Sequence, residues 1–188
     1  MKSTGTGHIQ NDSQIQHRAK AEKIKSVVTQ NLRELFLSEL RSTYWSEKAV
    51  STTIPKMIRQ TTAHDLSELL AGHLEITRDH VMRLEEIFSV VSEKISAVRC
   101  EAVEGMIKEA GQIMEQTEKG KVRDAGIISA AFKIGHYKIA TYGTLCFFAK
   151  TLGENSEVAL LHKILEEEKK ANEKLSEIIE LRQLEMAD

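Results

Sequence analysis

The sequence contains little that would interrupt a helix or fill a β-sheet core. It has one proline, Pro55, and ten glycines in 188 residues, so long stretches carry no helix breaker. Aromatic residues make up 5% of the chain, and Leu, Ile, Ala, Glu and Lys are frequent. This composition favours long helices over a sandwich or a barrel.

Several functional signals are also missing. No apolar run approaches the ~20 residues that span a bilayer, and the N-terminus lacks the apolar core of a signal peptide. The net charge of -2 gives no general attraction to nucleic acid. A short basic run near the N-terminus consists of Arg18, Lys20, Lys23 and Lys25, and Glu22 interrupts it. Such a mixed run is typical of a solvated tail. We therefore expect neither a membrane nor a nucleic-acid partner.

Cysteine is scarce, which bears on the compartment. Cys100 and Cys146 have apolar neighbours and no C-x-x-C partner, so we expect reduced core residues in a reducing environment. A cytoplasmic location follows. The polar first residues predict a flexible tail over residues 1–25, followed by a helical domain over residues 26–188.

Apolar periodicity predicts helices at about 27–61, 66–90, 100–117, 122–151 and 156–182, with no strand. Pro55 predicts a kink or short break in the first helix. Asp65 and Glu68 predict a capping box for the second, and Gly153 suits the left-handed position after the fourth. The predicted inward stripe of the fourth helix is Ile128, Phe132, Gly135, Ile139, Tyr142 and Cys146. Four long helices and one short inserted helix predict an all-α bundle.

Polar residues interrupt three of the predicted core stripes. Glu47 lies on the first helix, and His73 and His80 share a face of the second because they are seven residues apart. Glu168 and Asn172 interrupt the last helix one turn apart. A buried carboxylate must be paired or bound to a cation, because burying it alone costs several kcal/mol.

These positions permit a metal site without requiring one. Di-metal bundles use a Glu from each of two helices and a Glu-x-x-His unit from each of the other two, and no such unit lies on any helical stripe here. Either histidine also suits a hydrogen-bonded core position. Glu47 suits a half-buried one, and Glu168 suits the edge of the solvated run 166–170.

Several short segments, taken together, resemble one family. They are Tyr44-Trp45-Ser46-Glu47-Lys48, His73-Leu74-Glu75, the stretch 99–110, His136-Tyr137 and Leu165-Glu166-Glu167-Glu168-Lys169. In this order they resemble the YciE/YciF-type family of ferritin-like stress proteins, over about residues 32–179. The resemblance implies a ferritin-like four-helix bundle, a bacterial stress setting and a homodimer.

The resemblance also implies a set of inward carboxylates that this chain keeps only in part. Glu47 and Glu168 match the acids of the first and last helices. The departures from the acidic pattern are Ile76, Gly135, Lys138 and Asn172. Two divalent cations need several anionic ligands, so the remaining set is too small for a di-metal centre.

We therefore predict no stable di-metal centre and no cofactor. At most, Glu47, Glu168 and His80 would hold one weakly bound metal ion. The leading functional hypothesis is a non-enzymatic stress-related bundle that serves as a dimeric or partner-binding scaffold, although the sequence identifies no protein partner. The rival is an iron- or manganese-dependent oxidoreductase or oxidant-handling protein, in which His80, His136 or His73 replaces lost acids. A DNA-protecting protein has only the basic run in its favour.

Overall fold

The computed structural model describes the backbone of residues 7–186 and the side chains of residues 30–181. These residues form five helices and no strand: α1 (Gly7–Gln60), α2 (His64–Val90), α3 (Glu101–Gln116), α4 (Lys121–Leu152) and α5 (Asn155–Met186). The all-α prediction is confirmed. The bounds of α2, α3 and α4 lie within two residues of the predicted ones.

Helix α1 departs most from the prediction. It begins at Gly7, not near residue 27, because residues 8–54 contain neither glycine nor proline and polar residues alone do not end a helix. It also continues through Pro55 to Gln60, so the predicted break is wrong. The side chains of the basic run, residues 18–25, lie outside the described ones. The division between a tail and a domain stays a prediction.

The four long helices surround a common core. Helix α1 packs against α2 and α4, and α5 packs against the other sides of both, which closes a ring. Helix α3 lies outside this ring against α4 and α1. The apolar core has two halves: one centres on Val50, Leu70 and Ile127, the other on Phe36, Phe88 and Leu145. In the described part of the chain, no helix is long and apolar enough to cross a membrane.

Two helices end in a left-handed residue. Gly153 follows α4 with φ 83°, as predicted, and Glu154 N then donates to the Ala149 carbonyl at 3.0 Å. Ser92 takes the same place after α2 with φ 57°, and Glu93 N donates to the Phe88 carbonyl at 2.9 Å. Both are Schellman ends, but only the second places a side-chain-bearing residue at positive φ.

The corner between α1 and α2 is closed by a residue from α4. Buried Asp124 accepts hydrogen bonds from the Thr61 and Thr62 hydroxyls and from the Thr62 and Ala63 backbone N–H groups, at 2.6–2.9 Å. The predicted Asp65–Glu68 capping box is wrong, because the N-cap of α2 is Ala63 and Asp65 accepts from Leu66 N. Burial alone would raise the pKa of Asp124, but its hydrogen bonds, led by those from Thr62, lower it.

Candidate functional site

A buried polar cluster separates the two apolar halves of the core. Its members are Glu47 from α1, His80 from α2, Lys138 and Tyr142 from α4, and Glu168 from α5. Each is at most 3% exposed. Burying charged side chains at this depth requires partners for each of them.

The helical repeat of α4 explains why a lysine faces this cluster. The buried series runs Ile127, Ala131, Ile134, Lys138, Tyr142, Leu145 and Ala149, with spacings of three and four residues. The inward stripe predicted from the sequence differs in part from this buried series. Three of its residues, Phe132, Ile139 and Cys146, are only partly buried. Lys138 therefore occupies the centre of the inward face.

Lys138 joins the two buried carboxylates. Its Nζ lies 2.9 Å from Glu47 Oε2 and 2.5 Å from Glu168 Oε1. Burial alone would lower the pKa of Lys138, but the charges of Glu168 and Glu47 raise it above the ordinary value. Burial would likewise raise the pKa of Glu168, but the Lys138 charge and a hydrogen bond from His73 hold this pKa well below its ordinary value. The Lys138 ammonium and the Glu168 carboxylate are thus stabilised in their charged forms.

His80 connects the cluster to the edge of the bundle. Its Nε2 lies 3.0 Å from Glu167 Oε2, and the same oxygen accepts a bond from Arg83. Its Nδ1 lies 3.2 Å from Glu168 Oε1, without the alignment of a hydrogen bond. Both ring nitrogens therefore face carboxylates.

Two further side chains hold the carboxylates in place. Tyr142 donates its hydroxyl to Glu47 Oε1 at 2.7 Å, and burial together with the Glu47 charge raises the pKa of Tyr142 well above its ordinary value. His73 Nε2 lies 3.2 Å from Glu168 Oε1. His73, the other histidine that the sequence places on the inward face of α2, is therefore a partner of Glu168.

The positions that depart from the acidic pattern contribute no further carboxylate. A Cβ on Gly135 would lie 2.6 Å from Asn172 Oδ1, so the amide of Asn172 occupies the space that a side chain at 135 would need. Asn172 Nδ2 in turn lies 3.0 Å from His136 Nε2. Ile76 lines a groove between α2 and α5.

This arrangement does not fit a di-metal centre. Among the described residues, one group of side chains could hold a metal: Glu47, His80 and Glu168, with ligand atoms within 4.8 Å of one another. These are the residues that the sequence suggests, and the structure brings them together. Two carboxylates and one imidazole are too few for two divalent ions, and the Lys138 ammonium already lies against both carboxylates.

The sequence and the fold are similar to those of known proteins. Residues 31–187 match the model of a family described as a domain of unknown function, DUF892. The chain belongs to the DUF892 family. It is 39% identical over 148 residues to Protein YciF of Escherichia coli strain K12, covering 78% of this chain and 89% of that protein. The resemblance to YciF-type proteins is confirmed.

Two solved structures share this DUF892 fold. The crystal structure of the E. coli stress protein YciF aligns with a TM-score of 0.78 at 38% identity, covering 80% of this chain and 96% of that one. YcfI, a putative structural protein from Rhodopseudomonas palustris, aligns with a TM-score of 0.76 at 41% identity, covering 77% and 92%.

Two contacts of the cluster were not predicted from the sequence: that of Lys138 with both carboxylates and that of His80 with Glu167. Lys138 contacts both carboxylates because it lies on the buried face of α4. The spacing of four residues from Ile134 and from Tyr142 is the sequence signal for that position. Glu167 stands next to Glu168 in a charged run, and nothing in that run distinguishes it as the partner of His80.

Proposed function

We propose that this protein is a non-enzymatic, ferritin-like helical scaffold of bacterial stress physiology, in which a lysine takes the role of a metal. The descriptions of its relatives as a stress protein and as a putative structural protein support this proposal. A cytoplasmic location accords with two free cysteines among the described side chains.

One observation carries the metal-free part of the proposal. The Lys138 ammonium lies within 2.9 Å of one buried carboxylate and 2.5 Å of the other, where a bound cation would otherwise be needed. Tyr142 and His73 supply further partners, for Glu47 and Glu168 respectively. Glu167 and Arg83 form a separate pair at the edge. Both buried carboxylates then have partners without a bound metal.

The length of α1 supports the scaffold part of the proposal. It has 54 residues, roughly 80 Å of helix, against 27 residues in α2, roughly 40 Å. Since Arg33 already contacts the carbonyl of Val91 just beyond the end of α2, the first turns of α1 continue past that helix. A long helix is stabilised mainly by packing, so an extension of this length suits packing against a second copy or another protein.

Metal content tests the proposal directly. The protein is purified without chelator after growth with added iron and manganese, and its metals are measured by elemental analysis. We expect well under one equivalent per chain and a thermal unfolding curve that chelator leaves unchanged. About two equivalents would contradict the proposal.

A metal-dependent oxidoreductase or oxidant-handling protein is the second candidate. The close approach of Glu47, His80 and Glu168 favours it. It predicts about one equivalent of iron or manganese in the purified protein, lost when Glu47 or Glu168 is changed to Gln. Glu166→Gln, an exposed neighbour of Glu168, is the matched control and should leave the metal content unchanged.

A further inference from the structure

Three possible metal ligands converge in the core from three different helices. Glu47, His80 and Glu168 are at most 1% exposed, and one ligand atom from each lies within 4.8 Å of the others. Among the described side chains, Glu168 Oε2 and His80 Nδ1 have no hydrogen-bond partner. Two carboxylates and an imidazole suit a single manganese, iron, cobalt or zinc ion.

The orientation of His80 matches that of a metal ligand. Its Nε2 is held by Glu167 at 3.0 Å, and Glu167 is itself held by Arg83. This leaves Nδ1 directed towards Glu168 and Glu47, at 3.2 and 3.9 Å. Metal-binding histidines usually donate their other ring N–H to a carboxylate in this way, which fixes the ring and its tautomer.

A groove lies beside this region. It lies between α2 and α5, has a volume of about 440 Å³, and includes in its wall His73, which contacts Glu168. Its other charged residues are the acids Glu68, Glu167, Glu173 and Glu177 and the bases Lys170 and Lys174. The excess of acids attracts cations to the groove.

We propose that Glu47, His80 and Glu168 form a complete site for one divalent transition-metal ion, which the Lys138 ammonium closes in the native protein. This inference rests on the proposed metal-free function. An incoming ion would have to displace Nζ from both carboxylates, at 2.9 and 2.5 Å. Without the ammonium, the two carboxylates leave a double negative charge that one divalent ion balances.

Replacing the lysine tests this inference, with Co²⁺ as the probe. Metal-free wild type, Lys138→Met and Lys138→Met/Glu168→Gln are titrated with Co²⁺, and binding is followed by visible absorption and calorimetry. Lys133→Met is the matched control, because it removes a half-exposed lysine of the same helix. We expect Lys138→Met to bind one equivalent at least about 100-fold more tightly than the wild type. The double variant should lose this gain, and Lys133→Met should behave as the wild type.

The outcomes separate this inference from the proposed function. A folded Lys138→Met variant that binds no more Co²⁺ than the wild type overturns the inference and leaves the metal-free function intact. A wild type that binds one equivalent as tightly as Lys138→Met overturns both. If Lys138→Met is partly unfolded without metal, recovery of its helical circular dichroism on adding Co²⁺ supports the site. No recovery contradicts it.

Discussion

At the scale of single residues, Glu168 bears the largest share of the buried polar contacts. Its Oε1 accepts bonds from both Lys138 and His73. We expect Glu168→Gln to lower the free energy of unfolding by about 1–3 kcal/mol, because the amide cannot offset the buried ammonium. Urea unfolding measures the change.

Glu166→Gln provides the comparison for Glu168, two positions away in the same helix. Glu166 pairs with Lys169 at the exposed surface, where an ion pair adds little to stability. This variant should unfold at the same urea concentration as the wild type. Equal losses in the two variants would show that Glu168 has no special role in the core.

Asp124 makes the stability of the α1–α2 corner depend on pH. The pKa of Asp124 is lowered in the folded protein, so its stabilisation is present above the unfolded value of about 3.9. That stabilisation is lost as the pH falls through the lower folded value. Asp124→Asn should cost about 1–3 kcal/mol at pH 7, because its amide would face the Ala63 N–H or the Thr62 N–H with a donor.

Unfolding experiments across the acidic range check this expectation. The difference in stability between wild type and Asp124→Asn should shrink as the pH falls below about 3.9. A difference that stays constant down to the acid transition would show that the ionisation of Asp124 does not contribute to stability.

The sequence predicts some of the buried polar residues and not others, for a physical reason. Glu47, His80 and Glu168 could be found because each is a polar residue within an apolar helical stripe. The role of Asp124 could not, because its partners Thr61 to Ala63 lie about 60 residues away and no local pattern links them. The Asn172 amide of α5 fills the space beside Gly135 of α4, and no local pattern predicts this contact between helices either.

At the scale of the helices, the end of α2 contains a correctable strain. Ser92 has φ 57°, a conformation that costs a side-chain-bearing residue about 1–2 kcal/mol. We expect Ser92→Gly to raise the free energy of unfolding by about 0.5–1 kcal/mol, after the extra entropy of an unfolded glycine is subtracted. For a chain of this size, the melting temperature should rise by about 1–4 °C.

Gly153 provides the reverse experiment at the end of α4. It has φ 83°, and no atom outside its own chain neighbours and helix backbone lies within 4 Å of an added Cβ. Gly153→Ala should therefore destabilise through backbone strain alone, by about 1–2 kcal/mol. Changes of the same sign in both variants would contradict the role assigned to the left-handed position.

Glycines made the bounds of α4 predictable. Gly120 and Gly153 bracket α4, which the sequence places within one residue at each end. The start of α1 was not predictable, since no breaker separates its polar first turns from its core-forming part. Leu35, which the apolar spacing places inward, is 46% exposed, because periodicity alone does not fix the edges of a buried stripe.

At the scale of the whole molecule, we expect a homodimer, supported by the family resemblance and by the extension of α1. Light scattering at micromolar concentration should give twice the 21.2 kDa of one chain. Deleting residues 1–25 while keeping the bundle tests whether the extension supplies the contact. A full-length protein that scatters as a single chain would contradict the expectation.

The Asp124 corner also bears on the order in which the chain folds. The turn between α1 and α2 has no side-chain cap of its own and depends on a carboxylate that arrives only when α4 docks. Long-range closure of this kind tends to form late, after local helices and the first apolar contacts. Asp124→Asn should then mainly speed unfolding and barely slow refolding, giving a φ-value near zero. Stopped-flow chevrons measure this, and a φ-value near one would show that the turn is closed before the barrier is crossed.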